Sequence, residues 1–65
     1  MYTFRVMTTR FNPRPTIWAS YNRSSFFLIE EHRFYKSAQA AIDAESARLC
    51  TLAEQVRTTL YRHIR

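Results

Sequence analysis

The stretch from Ser37 to Ile64, SAQAAIDAESARLCTLAEQVRTTLYRHI, contains neither proline nor glycine and is rich in alanine. Alanine loses no side-chain entropy in a helix, and nothing in the stretch interrupts the backbone ladder, so one long helix over 37–64 is predicted. Ser37 is the expected N-cap, its hydroxyl accepting from backbone N–H groups that the first turn leaves without partners. Asp43 and Glu45 lie towards the N-terminal half, while Arg57, Arg62, His63 and Arg65 gather near the C-terminus. That order complements the helix dipole, which accounts for the terminal basic cluster without a ligand. Ala38, Ile42, Leu49, Ala53, Val56, Leu60 and Ile64 form an apolar stripe at helical spacing.

Ahead of Ser37 the period is two. In YTFRVMTTRF, residues 2–11, Tyr2, Phe4 and Val6 alternate with Thr3 and Arg5, the pattern of a half-buried strand. Asn12-Pro13-Arg14-Pro15 ends pairing, because proline has no N–H to give a sheet. TIWASYN, residues 16–22, reads as a second strand, and Asn22 to Ser25 as the next turn. A third strand is expected over 26–35, FFLIEEHRFY, opening with an apolar run that is covered on both faces for part of its length. The prediction is a single α+β domain over 1–65, a three-stranded antiparallel meander followed by one long helix. If Ile17, Ala19 and Tyr21 face that helix, then Trp18, Ser20 and Asn22 face away beside Arg5 and Met7. A register flip would instead bury Trp18.

Lengths set up a mismatch. A strand of this size spans ~25 Å, whereas the helix spans ~40 Å at 1.5 Å per residue. Roughly ten residues then project past the sheet, yet the stripe continues through Val56, Leu60, Tyr61 and Ile64. Wetting such side chains forfeits a few kcal/mol at about 25 cal/mol per Å², comparable with the stability of a small domain. No residue between Ser37 and Ile64 is a breaker, Thr58-Thr59 being the weakest spot. A homodimer packed through the C-terminal helix, or another partner on the same surface, is therefore expected.

A chain of 65 residues has a marginal core and needs a staple or a companion. Cys50 is the lone cysteine, so no disulfide forms within the chain. Cys50, His32 and His63 fall short of the four Cys/His ligands of a closed zinc site, so no metal and no cofactor are expected. The apolar run Phe26 to Ile29 is too short to cross a bilayer. A free thiol suits a reducing compartment, and a complete, cytoplasmic, membrane-independent gene product is the expectation.

Ten Lys and Arg stand against five acids, a formal charge of +5. Nearly all the bases are arginine, whose planar fork suits phosphate or carboxylate. The partner is expected to be nucleic acid or an acidic protein surface. In a meander the first connection and the end of the third strand share one end of the sheet, which gathers Arg10, Arg14, Arg33 and Lys36. The helix N-terminus opens there too, and its N–H groups favour an anion. Phe11, Phe34 and Tyr35 interleave with those bases and could stack on nucleobases. On the outward sheet face, Trp18 beside Arg5 has the composition of a protein-binding hot spot. The layout of a small sheet backed by a helix resembles the arm-type DNA-binding domains of tyrosine recombinases, a likeness of plan and not of motif.

Catalysis has little support. Glu30 and His32, at i and i+2, share a strand face and make a weak metal or acid/base pair, expected to be solvated. Cys50 falls beside Leu49 and Leu52, where an inert buried thiol is expected. The absence of glycine removes every glycine-rich phosphate loop. The reading is a non-enzymatic basic regulator that binds nucleic acid through arginine–phosphate contacts. The alternative is a small inhibitor of the phage or mobile-element type, binding a host or defence protein as anti-CRISPR proteins do. Its candidate contact residues are Trp18 and Arg5 on the outward sheet face and, separately, Val56, Leu60, Tyr61 and Ile64 on the helix stripe.

Overall fold

The computed structural model describes residues 1–11, 13–32 and 36–64, and the side chains of all of these except 63 and 64. Strands β1 (Thr3–Met7), β2 (Thr16–Ser20) and β3 (Phe27–Glu31) precede one helix, α1 (Ala38–Ile64). The sheet is antiparallel in the order β1-β2-β3, so the fold is the α+β plan that the change of period predicts.

The strands are shorter than the sequence suggests. β1 stops at Met7 and not at residue 11, where Thr16 closes the hairpin and Pro15 offers no N–H to carry the ladder further. β2 stops at Ser20 and not at residue 22, because the Asn22 side chain takes over local pairing. Asn22 Oδ1 accepts from Ser24 N at 3.0 Å, from Ser25 N at 3.2 Å and from the Ser20 hydroxyl at 3.0 Å. This Asx turn bends the chain through Arg23 at φ 64°, a left-handed position filled here without glycine. β3 runs from Phe27 to Glu31 rather than from 26, and residues 33–35 of the expected strand lie outside the described residues.

Register decides which side chains meet the helix. Val6 pairs with Ile17 and Phe4 with Ala19, while Arg5 pairs with Trp18. Ile17 and Ala19 are wholly buried. Ile17, Ile42 and Leu49 form the core, flanked by Phe4, Val6 and Ile29. The helix stripe therefore meets the sheet through Ile42, Leu49 and Ala53, joined by Ala41. Burying Ile17 and Leu49 contributes about 1.5–3 kcal/mol each.

Two irregularities break the pattern. Between Ile17 and Trp18 the β2–β3 register slips: Trp18 faces Leu28, but Ile17 faces Glu30. Ile29 is the extra residue of a β-bulge, and it packs on the core beside Ile17. Inside α1, Glu45 leaves helical geometry at φ −117°, ψ 17°. The departure from a straight rod falls at Glu45 and not at Thr58-Thr59, whose hydroxyls donate to the carbonyls of Glu54 and Gln55 four residues back. Glu45 is drawn towards the end of β3, together with Arg48 of the next turn, as described next.

The helix of about 40 Å sets the longest dimension of the molecule, 38 Å, while five-residue strands reach only about 17 Å. Its last turns project as expected. Val56 is half-buried, and Leu60 and Tyr61 are 44% and 62% exposed. The Ile64 side chain lies outside the described residues. Among the described residues, no helix is long and apolar enough to cross a membrane.

Candidate functional site

The bulge re-aims the end of β3. With strict alternation from Phe27, which faces the inward Ala19, residues 30 and 32 would point away from the helix. The extra residue at Ile29 reverses the phase, so Glu30 shares a face with the buried Ile17. Glu31 then lies opposite Thr16, and His32 is anchored by its N–H donating to the Pro15 carbonyl at 3.1 Å. His32 is 5% exposed. The expectation that Glu30 and His32 form a solvated pair is thus overturned, and the bulge is the reason.

The helix completes the group. Glu45 lies on the apolar stripe between Ile42 and Leu49, an acid at a core-facing position. His32 Nε2 is covered from solvent and lies 3.7 Å from Glu30 Oε2 and 4.0 Å from Glu45 Oε2. Arg48 Nη2 donates to the same two oxygens, at 2.8 Å to Glu30 and 2.6 Å to Glu45. Those two hydrogen bonds, Glu45's the larger cause, raise the Arg48 pKa above its ordinary value. Glu30, His32 and Glu45 each present one ligand-type atom, and the three lie within 4.8 Å of one another. Sequence reasoning found the first two and missed Glu45 and Arg48. The available signal was the acid interrupting the stripe.

The basic pole lies at the same end of the sheet and is built from other side chains. The register brings Met7, Thr16 and Glu31 to one end of the sheet, so the connections 8–15 and 32–37 share that end. Arg10, Arg14 and Lys36 are exposed there. Phe11 is 93% exposed. Arg33, Phe34 and Tyr35 fall outside the described residues. Ser37 caps the helix as expected, its hydroxyl accepting from Ala40 N at 3.3 Å, and no acid occupies the first turn. The chain from 8 to 15 also contains no acid.

On the outer sheet face, the Arg5 guanidinium lies 4.5 Å from the Phe26 ring centre. Trp18 is half-buried on this face and outside the helix-facing core, its Nε1–H donating to the Thr16 hydroxyl at 2.8 Å. Leu28, its cross-strand partner, is 44% exposed.

At the opposite pole from the basic loop, Tyr21, Asn22, Ser25, Phe27, Arg57, Leu60 and Tyr61 line a shallow groove of about 270 Å³. Arg57 stacks over Tyr21 at 4.6 Å and Tyr61 at 5.6 Å. Tyr2 packs edge-on against Tyr21 and Phe27 and donates its O–H to Glu54 at 2.8 Å. Burial first and that hydrogen bond second push the Tyr2 pKa up, against the nearby Arg57. Cys50 is half-buried, next to Tyr2 and Phe4 in a shallow hollow.

Compared with protein-family models, curated proteins and solved structures, the chain matches none.

Proposed function

We propose that this protein is a non-enzymatic nucleic-acid-binding regulator that grips phosphates with its basic pole. The observation that carries the reading is Phe11, almost fully exposed, between the exposed Arg10 and Arg14. A ring left in water has no packing role, and beside two guanidinium forks it offers a stacking surface for a base. Lys36 and an acid-free helix start at the same end add charge of the same sign. Of the five acids, Glu31 lies at this end, while Glu30 and Glu45 engage Arg48, Glu54 engages Tyr2 and Asp43 engages Gln39. On this reading the protein works in the cytoplasm, in keeping with its single free thiol.

Fluorescence anisotropy with labelled single- and double-stranded oligonucleotides tests the proposal. Affinity should fall steeply with salt, with each neutralised duplex phosphate contributing about 0.9 to the log–log slope. Replacing Arg10, Arg14 and Lys36 by Ala should flatten that slope by about one for each phosphate left without its cation. Phe11→Ala should cost about 1–3 kcal/mol on single strands. Binding that ignores all four substitutions sinks the reading.

The rival, an inhibitor of a host or defence protein, draws on the outer face, where Arg5, Phe26, Trp18 and Leu28 adjoin. Such a complex should survive high salt and weaken on Trp18→Ala. The exposed Leu60 and Tyr61 support association with a second copy through the projecting helix. Leu60→Glu with Tyr61→Glu should halve the mass in solution, and an unchanged mass rejects that interface.

A further inference from the structure

We infer that Glu30, His32 and Glu45 form a binding site for a divalent transition-metal cation of the zinc type, with Arg48 as a displaceable cap. The donor set is one imidazole and two carboxylates, which suits zinc and its neighbours better than magnesium or calcium. Two of the donors come from β3 and the residue that follows it, and the third from α1, so the fold, and not local sequence, brings them together.

The distances fit an ion. Zinc bonds of about 2.0–2.1 Å to nitrogen and oxygen put tetrahedral ligands ~3.3 Å apart. His32 Nε2 lies 3.7 and 4.0 Å from the two carboxylate oxygens, too far for a hydrogen bond to either and a small contraction away from shared coordination. The bulge turns Glu30 and His32 inward together, and the non-helical residue of α1 is Glu45 itself. Bulges recur where a side chain must be re-aimed for function.

Arg48 marks where positive charge belongs. A single nitrogen, Nη2, meets both oxygens of Glu30, at 3.0 and 2.8 Å, and Oε2 of Glu45 at 2.6 Å, so the two carboxylates already converge on one cationic point. The Arg48 side chain is 51% exposed and can swing into water. Exchanging its guanidinium for a dication beside a neutral imidazole leaves the two carboxylates fully compensated. Water would complete four-coordination on the side Arg48 vacates. None of the three side chains is among Arg10, Arg14 and Lys36, so zinc binding and nucleic-acid binding can fail separately.

The test uses the full chain, stripped of metal by a chelator and titrated with Zn²⁺ by calorimetry and with Co²⁺ by visible absorption. One equivalent should bind, and melting temperature should climb with free Zn²⁺, because an ion held only by the folded state stabilises it. Mg²⁺ and Ca²⁺ should not produce this rise. Arg48→Gln should bind Zn²⁺ more tightly than the unaltered chain. His32→Gln and Glu45→Gln should each weaken binding by more than the roughly 10–100-fold that losing an outer-shell partner costs. Glu45, half-buried with 29% of its side chain exposed, keeps the test usable if the buried His32 variant does not fold. Cys50→Ser and His63→Gln should leave affinity unchanged. The inference is overturned by absence of saturable binding in both the unaltered chain and Arg48→Gln. Binding that survives Glu45→Gln, or that disappears with Cys50→Ser or His63→Gln, overturns it equally.

Discussion

The two halves of α1 carry the same stripe and meet different fates. From Ala41 to Ala53 it is sealed against the sheet, with Leu49 and Ala53 at zero exposure. From Val56 onward it runs past the strands, and Leu60 and Tyr61 stay wet. Composition does not separate them, since Leu49 and Leu60 are the same residue on the same stripe. The reach of a five-residue strand does. A helix of one amphipathic design thus serves as core at one end and as an available surface at the other.

The sharpest way to break this comparison is to cut the same side chain from both halves. Leu49→Ala should cost about 2–5 kcal/mol, against a total of about 3–10 kcal/mol for a chain of this length. Urea titration should find it largely unfolded, while Leu60→Ala loses under about 1 kcal/mol. Equal losses would mean that the projecting turns are packed after all. Ser37→Ala, which removes the cap from the sealed half, should cost about 1 kcal/mol by the same measurement.

Arg23 sharpens the comparison from the wet end, since its loop adjoins the groove under Leu60. A non-glycine residue at positive φ costs about 1–2 kcal/mol, of which glycine's extra chain entropy offsets part. Arg23→Gly should therefore stabilise the fold by about 0.5–1 kcal/mol. The smallest effect is at the boundary between the halves, where Tyr2 donates to Glu54. Tyr2 holds its proton more tightly when folded, its pKa lying above the ordinary value of 10.0. That contribution is whole below the unfolded value and vanishes as pH climbs through the higher folded one. Tyr2→Phe should flatten the alkaline limb of a stability–pH curve, and a limb of unchanged slope would assign it to another group.

Much of the architecture was legible. Alternation in Tyr2 to Val6 gives a strand, the glycine- and proline-free stretch after Ser37 gives the helix, and their lengths foretell the projection. Strand ends were not legible, because Thr8 to Phe11 continue a plausible strand composition while their pairing depends on what faces them. The cluster was half legible. Glu30 and His32 show a common face, but only a register slip says which face, and a slip belongs to two strands at once. Glu45 lies in the stripe where a leucine would fit, yet the helix dipole gave it a sufficient explanation. At the basic pole, Arg10, Phe11, Arg14 and Lys36 were found by counting ends of a meander, which is topology and survives errors of a few residues in strand length.

The insertion at Ile29 has a consequence for any relative of this chain. A version of equal length that paired without the slip, with residue 29 opposite Ile17, would keep its ladder of backbone bonds and its oily underside. It would nonetheless swap its acid and imidazole to the far surface, out of reach of Glu45. At this point in the chain, counting matters more than spelling.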